Sequence, residues 1–253
     1  MFMIKKISSI TIAKNEARNL GRCLNSLKGV IDEIIVLVDD SSEDNTFEIA
    51  EKYADIVEYV KWKGYSETKK LSLAKCSNEW ILWIDADEEL TEDLISELEE
   101  WKNREEKYTA YKVARRAFFL GKWIKHSGWY PGYVTRLFNK NGAEFSDSDV
   151  HEFLVVNGEI GTLKNDINHY TDPDIKHYFD KFNRYTSLAA DELYQKGKTA
   201  NLIDLLIRPL LIFLKMFIFR AGYLDGIHGF ILAAFSSMYV FTKYAKLFEK
   251  KYK

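Results

Sequence analysis

The sequence predicts an α/β fold, a mostly parallel sheet flanked by helices, followed by an amphipathic helical extension. Three observations predict it. Short β-rich runs alternate with helical patterns through the first hundred or so positions, the grammar of βαβ units. Acidic residues recur where such runs end, at Asp39-Asp40 and again at Asp85 and Asp87. Past residue 200 the chain becomes apolar and basic together.

The elements follow in order. Ile7 to Ala13 is β-rich and reads as a first strand, closed by the polar turn Lys14-Asn15-Glu16. Leu20, Cys23, Leu24 and Leu27 then recur at i, i+3, i+4 and i+7, one apolar helix face for covering a sheet. Glu33 to Val38 is a second strand, ending in Asp39-Asp40-Ser41-Ser42. Asn45 with Glu48 three residues later predicts a capping pair that opens a helix through Tyr53. Ile56 to Val60 is a third strand, and Ser66 to Cys76 a helix bearing Lys69 and Lys70. Ile81 to Ile84 reads as a strand buried on both faces, as in a parallel sheet.

That strand runs into Asp85-Ala86-Asp87-Glu88-Glu89. In open α/β sheets ligands bind beyond the carboxyl ends of the strands, and right-handed crossovers set those ends along one edge. Two close carboxylates repel unless a cation sits between them. Oxygen ligands of this kind suit Mg²⁺ or Mn²⁺, which can also bridge the phosphates of a nucleotide. The plainer alternative is that the acids merely favour the start of the next helix, with Thr91 as its N-cap.

Past Trp101 the pattern changes. Tyr108 to Phe119 reads as a longer strand. Trp123 to Gly132 is a loop in which aromatics, Gly, Pro and basic residues interleave. Such a surface suits sugar rings, or else packs on its own aromatics. Arg136-Leu137-Phe138 and Val150 to Leu154 read as strands, and Asn168-His169-Tyr170 follows a hairpin-like segment holding Gly158 and Gly161. Pattern alone leaves His151 and His169 as readily structural as functional. Pro173 opens an amphipathic helix to about Gly197, and two apolar stretches follow, Leu202 to Phe219 and Gly226 to Thr242. Charge interrupts the first, and the second falls short of the roughly 20 apolar residues that span a bilayer. Helices lying in the membrane interface, or packed together and touching it, are the reading, with a spanning hairpin and a buried helical pair as the alternatives. The expected division is 1–172 for the sheet domain and 173–253 for the helical, membrane-associating region.

Composition sharpens the class. Hydrophobic residues at 47% and charged residues at 29% describe a globular chain. The net charge of -2 conceals an uneven distribution: from Asn201 onward there are eight Lys/Arg against three Asp/Glu. Basic and apolar together point to an anionic membrane surface. Cys23 and Cys76 are too few for a disulfide framework and read as reduced, partly buried thiols of a cytosolic protein. No apolar stretch of adequate length precedes Lys14, so no secretory signal is expected. The core is not basic and its aromatics form no basic stripe, which excludes a nucleic-acid partner.

Three motifs, Ile10-Thr11-Ile12-Ala13-Lys14-Asn15-Glu16, Val38-Asp39-Asp40-Ser41-Ser42-Glu43-Asp44-Asn45-Thr46 and Asp85-Ala86-Asp87, together resemble family 2 glycosyltransferases of the GT-A fold. Ser41 departs from the Gly common at its position, which tightens the turn without altering the chemistry. Gly121-Lys122-Trp123-Ile124, Gly128-Trp129-Tyr130-Pro131, Arg136-Leu137-Phe138, Val150-His151-Glu152, His169-Tyr170 and Leu224-Asp225-Gly226 resemble the narrower subgroup of lipopolysaccharide-core β-1,4-glucosyltransferases. The resemblance implies an inverting, metal-dependent transfer of a hexose, glucose first, from a UDP-sugar. The implied acceptor is a lipid-linked glycan such as lipooligosaccharide inner core, reached at the cytoplasmic face of the membrane by a peripheral enzyme. An undecaprenyl-linked or protein-bound glycan is an alternative acceptor, and a non-catalytic nucleotide-sugar-binding module an alternative role.

The resemblance also implies residue roles. Asn15, Glu16, Asp39 and Asp40 would hold uracil and ribose. Lys69 would reach the nucleotide or its diphosphate, and Asp85 would lie near ribose and metal. Asp87 would ligate Mg²⁺ or Mn²⁺, with His169 completing that site. Trp129 and Tyr130 would shape the donor-sugar and acceptor site. Glu152 would be the base that takes the acceptor's proton, with Asp147 and Asp149 as rivals.

Overall fold

The computed structural model describes residues 4–146 and 154–250 of the chain. It divides into two compact units, Met1–Arg115 with Gly132–His169, and Arg116–Pro131 with Tyr170–Lys253. By its contacts the segment Arg116–Pro131 thus groups with the helical region, where a single cut after residue 172 would leave it with the sheet.

The first unit opens with β1 (Ile7–Ala13), α1 (Leu20–Leu27), β2 (Glu33–Asp39), α2 (Thr46–Ala50), β3 (Ile56–Val60), α3 (Tyr65–Ala74) and β4 (Trp80–Trp83). The strands lie in the order β3-β2-β1-β4, each pair parallel. Alternate residues feed different cores, as a pleat requires. Ile34, Val36 and Val38 join one cluster with the buried face of α1, while Ile35 joins Ile10, Ile81 and Phe138 in another. Apolar side chains on both faces are why these strands read as unbroken hydrophobic runs.

Beyond β4 the sheet turns antiparallel. A short strand β5 (Glu88–Leu90) follows the acidic loop, and Thr91 caps α4 (Glu92–Lys102) by accepting from the Leu94 amide. Next come β6 (Ala110–Phe119), β7 (Lys122–Trp123), β8 (Gly132–Asn139), β9 (Ala143–Phe145), β10 (Leu154–Val156) and β11 (Ile160–Asp172). Strand β8 pairs antiparallel with β4 and with β6, and β11 pairs antiparallel with β5. The strand expected from Val150 is described only from Leu154, and pairs with β9 in a separate two-stranded sheet. Strand β5 was not anticipated. Three residues of mixed polarity carry no periodicity, yet its register on β11 sets His169 opposite Glu88.

One local expectation is corrected. Asn45 precedes α2 but makes no side-chain cap. Asp44 accepts instead, from the Thr46 amide at 3.1 Å and from the Thr46 hydroxyl, and takes the Ala17 amide at 3.0 Å as well. A carboxylate one residue earlier thus serves the helix start and the neighbouring loop together.

The second unit contains α5 (Ile175–Gln195), α6 (Arg208–Leu214) and α7 (Ile227–Glu249). Asp174 caps α5 by accepting from the His177 amide at 2.8 Å. Single π-helical turns, Ile203–Ile207 and Lys215–Phe219, flank α6. The first leads into Pro209, whose missing N–H interrupts the regular ladder. A 3-10 turn, Gly222–Asp225, leads into α7. Among the described residues no helix is long and apolar enough to cross a membrane.

Candidate active site

Two rims of acidic residues stand at the carboxyl ends of the parallel strands, one after β2 and one after β4. The first is a lacework of loops. Asn15 takes a left-handed backbone (φ 53°), a conformation its short polar side chain tolerates. Its Oδ1 accepts the Glu43 amide at 2.8 Å, and its own amide donates to Ser42 Oγ at 3.3 Å. The Glu16 amide donates to Thr46 Oγ1 at 2.8 Å. Asp39 is buried, and its Oδ1 accepts both the amide and the hydroxyl of Ser41, at 2.8 and 2.5 Å. Lys14 stands 3.3 Å from the other carboxylate oxygen. Burial pushes the Asp39 carboxyl up, but the Ser41 hydrogen bonds and Lys14 outweigh it and hold the group below its ordinary value. Ser41, where Gly is common, is therefore the residue that fixes Asp39. Asp40 beside it is exposed.

The second rim is built on charge. Glu88 is wholly buried (0% exposed) and Arg136, from β8, is 3% exposed. The Arg136 guanidinium donates to Glu88 Oε1 at 2.7 Å and to Asp85 Oδ2, while Arg115 stands 3.8 Å from Glu88. The Asp85 amide donates to Glu88 Oε2 at 3.1 Å, which locks the loop's backbone to the same carboxylate. Burial pushes the Asp85 carboxyl up, and Arg136 and Lys69 overcome it, so Asp85 stays ionised below the usual range. For Glu88 burial wins: with the Asp85 charge beside it, the group lies above its ordinary value in spite of Arg136. Arg136 is held firmly protonated by the two acids.

Trp83 forms the floor beside this network. Its ring lies under the Lys69 ammonium at 3.7 Å and the Arg136 guanidinium at 4.5 Å, with Phe145 packed edge-on at 5.2 Å. Lys69 itself is buried. A cation over an aromatic face is stabilised by the ring quadrupole, so Trp83 offsets part of the cost of burying both positive groups. Under the loop, the Cys23 thiol lies 3.5 Å from the Asp85 carbonyl oxygen. Burial and the three surrounding carboxylates push its pKa well up. Both cysteines are free and buried.

Asp87 and His169 meet at 3.4 Å, Oδ2 to Nε2, through the β5–β11 register. Asp85, by contrast, is engaged by Arg136. Among the described residues no three His, Cys, Asp or Glu side chains gather as a metal cage. Oxygen and imidazole nitrogen together still suit a first-row divalent cation whose remaining ligands come from phosphate or water. Trp129 and Tyr130 belong to the second unit, where Trp129 packs edge-on against Phe119 and Tyr130 against Trp123. Asp147, Asp149 and Glu152 lie outside the described residues.

Sequence reasoning missed Arg136, Glu88 and Arg115 as site residues. Arg136 was read as the start of a strand and of the Arg136-Leu137-Phe138 motif, with no role assigned to it. The signal for its role was a charged residue placed beside Leu137 and Phe138 in a strand, which demands a partner if buried.

The profile of Glycosyl transferase family 2 matches residues 8–155. An uncharacterized glycosyltransferase of Rickettsia prowazekii is 33% identical over 255 residues, covering 96% of this chain and 87% of its own length. The lipopolysaccharide core biosynthesis glycosyltransferase LpsC of Rhizobium meliloti is 30% identical over 262 residues, 98% of this chain and 94% of that protein. A crystal structure of S. aureus TarS 1-349 in complex with UDP-GlcNAc covers 98% of this chain and 91% of its own, at 15% identity and a TM-score of 0.49. The profile and the full-length sequence matches carry the assignment: this chain belongs to glycosyl transferase family 2 and is a glycosyltransferase.

Proposed function

We propose that the enzyme transfers a hexose, glucose first among candidates, from a UDP-sugar to a lipid-linked glycan of the lipopolysaccharide core type, with inversion. The observation that carries the reading is the Asp87–His169 pair, set between the loop after β4 and strand β11, in a chain of this family. Full-length similarity to LpsC, named for lipopolysaccharide core biosynthesis, supports the acceptor class.

Asp87 and His169 would hold Mg²⁺ or Mn²⁺. Such an ion offsets the negative charge that gathers on a departing nucleoside diphosphate. The chain's own residues do the rest. Arg136 and Glu88 hold Asp85 in one place, so that a carboxylate meets ribose without reorganising. Asp39, fixed by Ser41, and the neighbouring Asp40, Asn15 and Glu16 form the rim for uracil and ribose. Lys69 places a positive charge next to Trp83, on the side where diphosphate must be neutralised. Glu152 is the proposed base, ahead of Asp147 and Asp149, and takes the acceptor hydroxyl's proton as the new bond forms. Trp129 and Tyr130 are assigned to the donor sugar and acceptor. The helical region would seat the enzyme peripherally at the cytoplasmic membrane face, where a lipid-anchored acceptor is found.

Nucleotide release tests this without an acceptor, because many transferases slowly hydrolyse their donors. Purified protein is incubated with a panel of nucleotide sugars and Mn²⁺, Mg²⁺ or EDTA. Release of UDP from UDP-glucose, abolished by EDTA and reduced at least about a hundredfold in Asp87→Ala, is the expected result. No release from any donor, together with no UDP binding by calorimetry, would overturn the reading.

A further inference from the structure

The second unit carries a surface that its own core does not use. At the turn between α6 and α7, Phe219 is 80% exposed, and Tyr223, Leu224 and Ile227 are each more than half exposed. Leu210, Leu211 and Ile218 continue the apolar face along α6 and the π-helical turn after it. Contiguous apolar surface of this kind marks a place that another phase or another molecule covers.

Charge selects the occupant. The segments 116–131 and 198–230 contain seven Lys/Arg and only two acids, Asp204 and Asp225. Both acids are buried, whereas Lys122, Lys125, Lys215 and Arg220 are exposed. The unit's other acids lie between Asp172 and Glu192, or at Glu249. An apolar tip ringed by cations and cleared of exposed carboxylates fits an anionic bilayer surface, where each basic side chain adds to the attraction of the lipid charge.

Asp225 is buried at this tip for a reason. Its carboxylate accepts the His126 amide at 2.9 Å, the Lys125 amide at 3.3 Å and His126 Nδ1 at 3.1 Å. Its carbonyl accepts Lys122 Nζ at 2.8 Å. The Ser127 amide donates to the Arg220 carbonyl at 2.9 Å. Packing is equally close: a Cβ on Gly222 would come within 2.5 Å of Ser127 Oγ. Ser127 (φ 60°) and Ala221 (φ 53°), one on each side of this joint, both hold the left-handed backbone that non-glycine residues avoid. The aromatic loop is therefore stitched to the apolar turn.

We infer that the Phe219–Ile227 turn is a lipid-docking tip for an anionic membrane surface, and that Asp225 ties the Lys122–Pro131 loop to it. Asp225 is a positioning residue. Seating the tip in the headgroup layer fixes the loop bearing Trp129 and Tyr130 at the lipid surface. This rests on the reading of that loop as part of the acceptor site and deepens it: the acceptor is taken where its lipid anchor emerges.

The test uses the full-length protein and no donor, so it stands apart from the glycosyl-transfer assay. Sedimentation with vesicles of phosphatidylglycerol in phosphatidylethanolamine is compared with phosphatidylcholine alone. Binding is expected to the anionic vesicles, to fall with added salt, and to weaken roughly tenfold or more in Phe219→Ser/Leu224→Ser, which changes only exposed side chains. Amide hydrogen exchange is then followed on the same vesicles. Protection is expected to rise in 219–227 and, with it, in 122–130. In Asp225→Ala the rise in 219–227 persists while that in 122–130 is lost, and Asp225→Asn, which keeps a carbonyl acceptor, falls between. A joint that is merely structural would change the resting exchange of 122–130 without changing its response to vesicles. Should Asp225→Ala fail to fold, the surface double variant decides: both segments must lose their vesicle response together. Equal binding to both vesicle types, a tip protected without the loop in the unaltered protein, or a dimer that Phe219→Ser/Leu224→Ser dissociates in the absence of vesicle binding would each overturn the proposal.

Discussion

The two acidic rims of the sheet do comparable work by different means. After β2, the partners of Asp39 are Ser41, two residues on, and Lys14, from the loop before α1. After β4, the partner of Asp85 and Glu88 is Arg136, which follows them by 51 and 48 residues and sits on an antiparallel strand next to β4. One rim is set by short-range hydrogen bonds to neutral donors and one surface lysine. The other is set by a buried ion network. The difference teaches where each rim is vulnerable. A hydrogen-bonded lace loses one thread at a time, whereas a buried charge network stands or falls as a whole.

Mutations can break or sharpen that contrast. The largest effect is expected at Arg136→Met, which leaves Glu88 buried beside Asp85 with its principal cation gone. Stability should fall by about 3–5 kcal/mol, read from urea unfolding, because an uncompensated buried charge is left behind. Adding Glu88→Gln should restore part of the loss. A strictly additive pair would show that the network is not coupled.

At the other rim the cost should be smaller. Ser41→Ala removes the hydroxyl that Asp39 Oδ1 accepts and should cost about 1 kcal/mol. It also has a pH signature. Because the folded protein holds the Asp39 carboxyl below its unfolded value, the contribution is complete above about pH 4 and is lost as pH falls through the lower folded value. Ser41→Ala raises that folded value, so the difference in urea midpoint between variant and parent should narrow as the pH drops below 4. A constant difference down to acid unfolding would refute the assignment.

The smallest effect separates a motif from its execution. Asn45→Ala should change stability by less than about 0.5 kcal/mol, since Asn45 makes no cap. Asp44→Ala should cost about 1 kcal/mol or more, as it removes the acceptor for Thr46 and Ala17. Thermal unfolding of the two variants side by side would check the reversal.

The same division runs through what could be read in advance. β1, β3 and the buried face of α1 appear where the pattern put them, because period-2 and period-3.6 spacing are local properties fixed by the backbone. Recurring acids at strand ends pointed to one edge of the sheet, since parallel strands joined by right-handed crossovers end on the same side. The full-length matches agree with the family that these motifs resembled.

What the sequence by itself determined was the alternation of strands and helices, the placing of Asp39 and Asp85 at the ends of parallel strands, and the apolar, basic character of the last fifty or so residues. Only tertiary structure decided that Arg136 is the partner of Asp85 and Glu88, that β5 would carry Asp87 to His169, and that Asp225 would hold a loop a hundred residues before it. The physical reason is range. Periodicity and turn chemistry act over a few residues, whereas a buried charge takes whichever opposite group the fold brings within hydrogen-bond distance, and nothing in local spacing names that group.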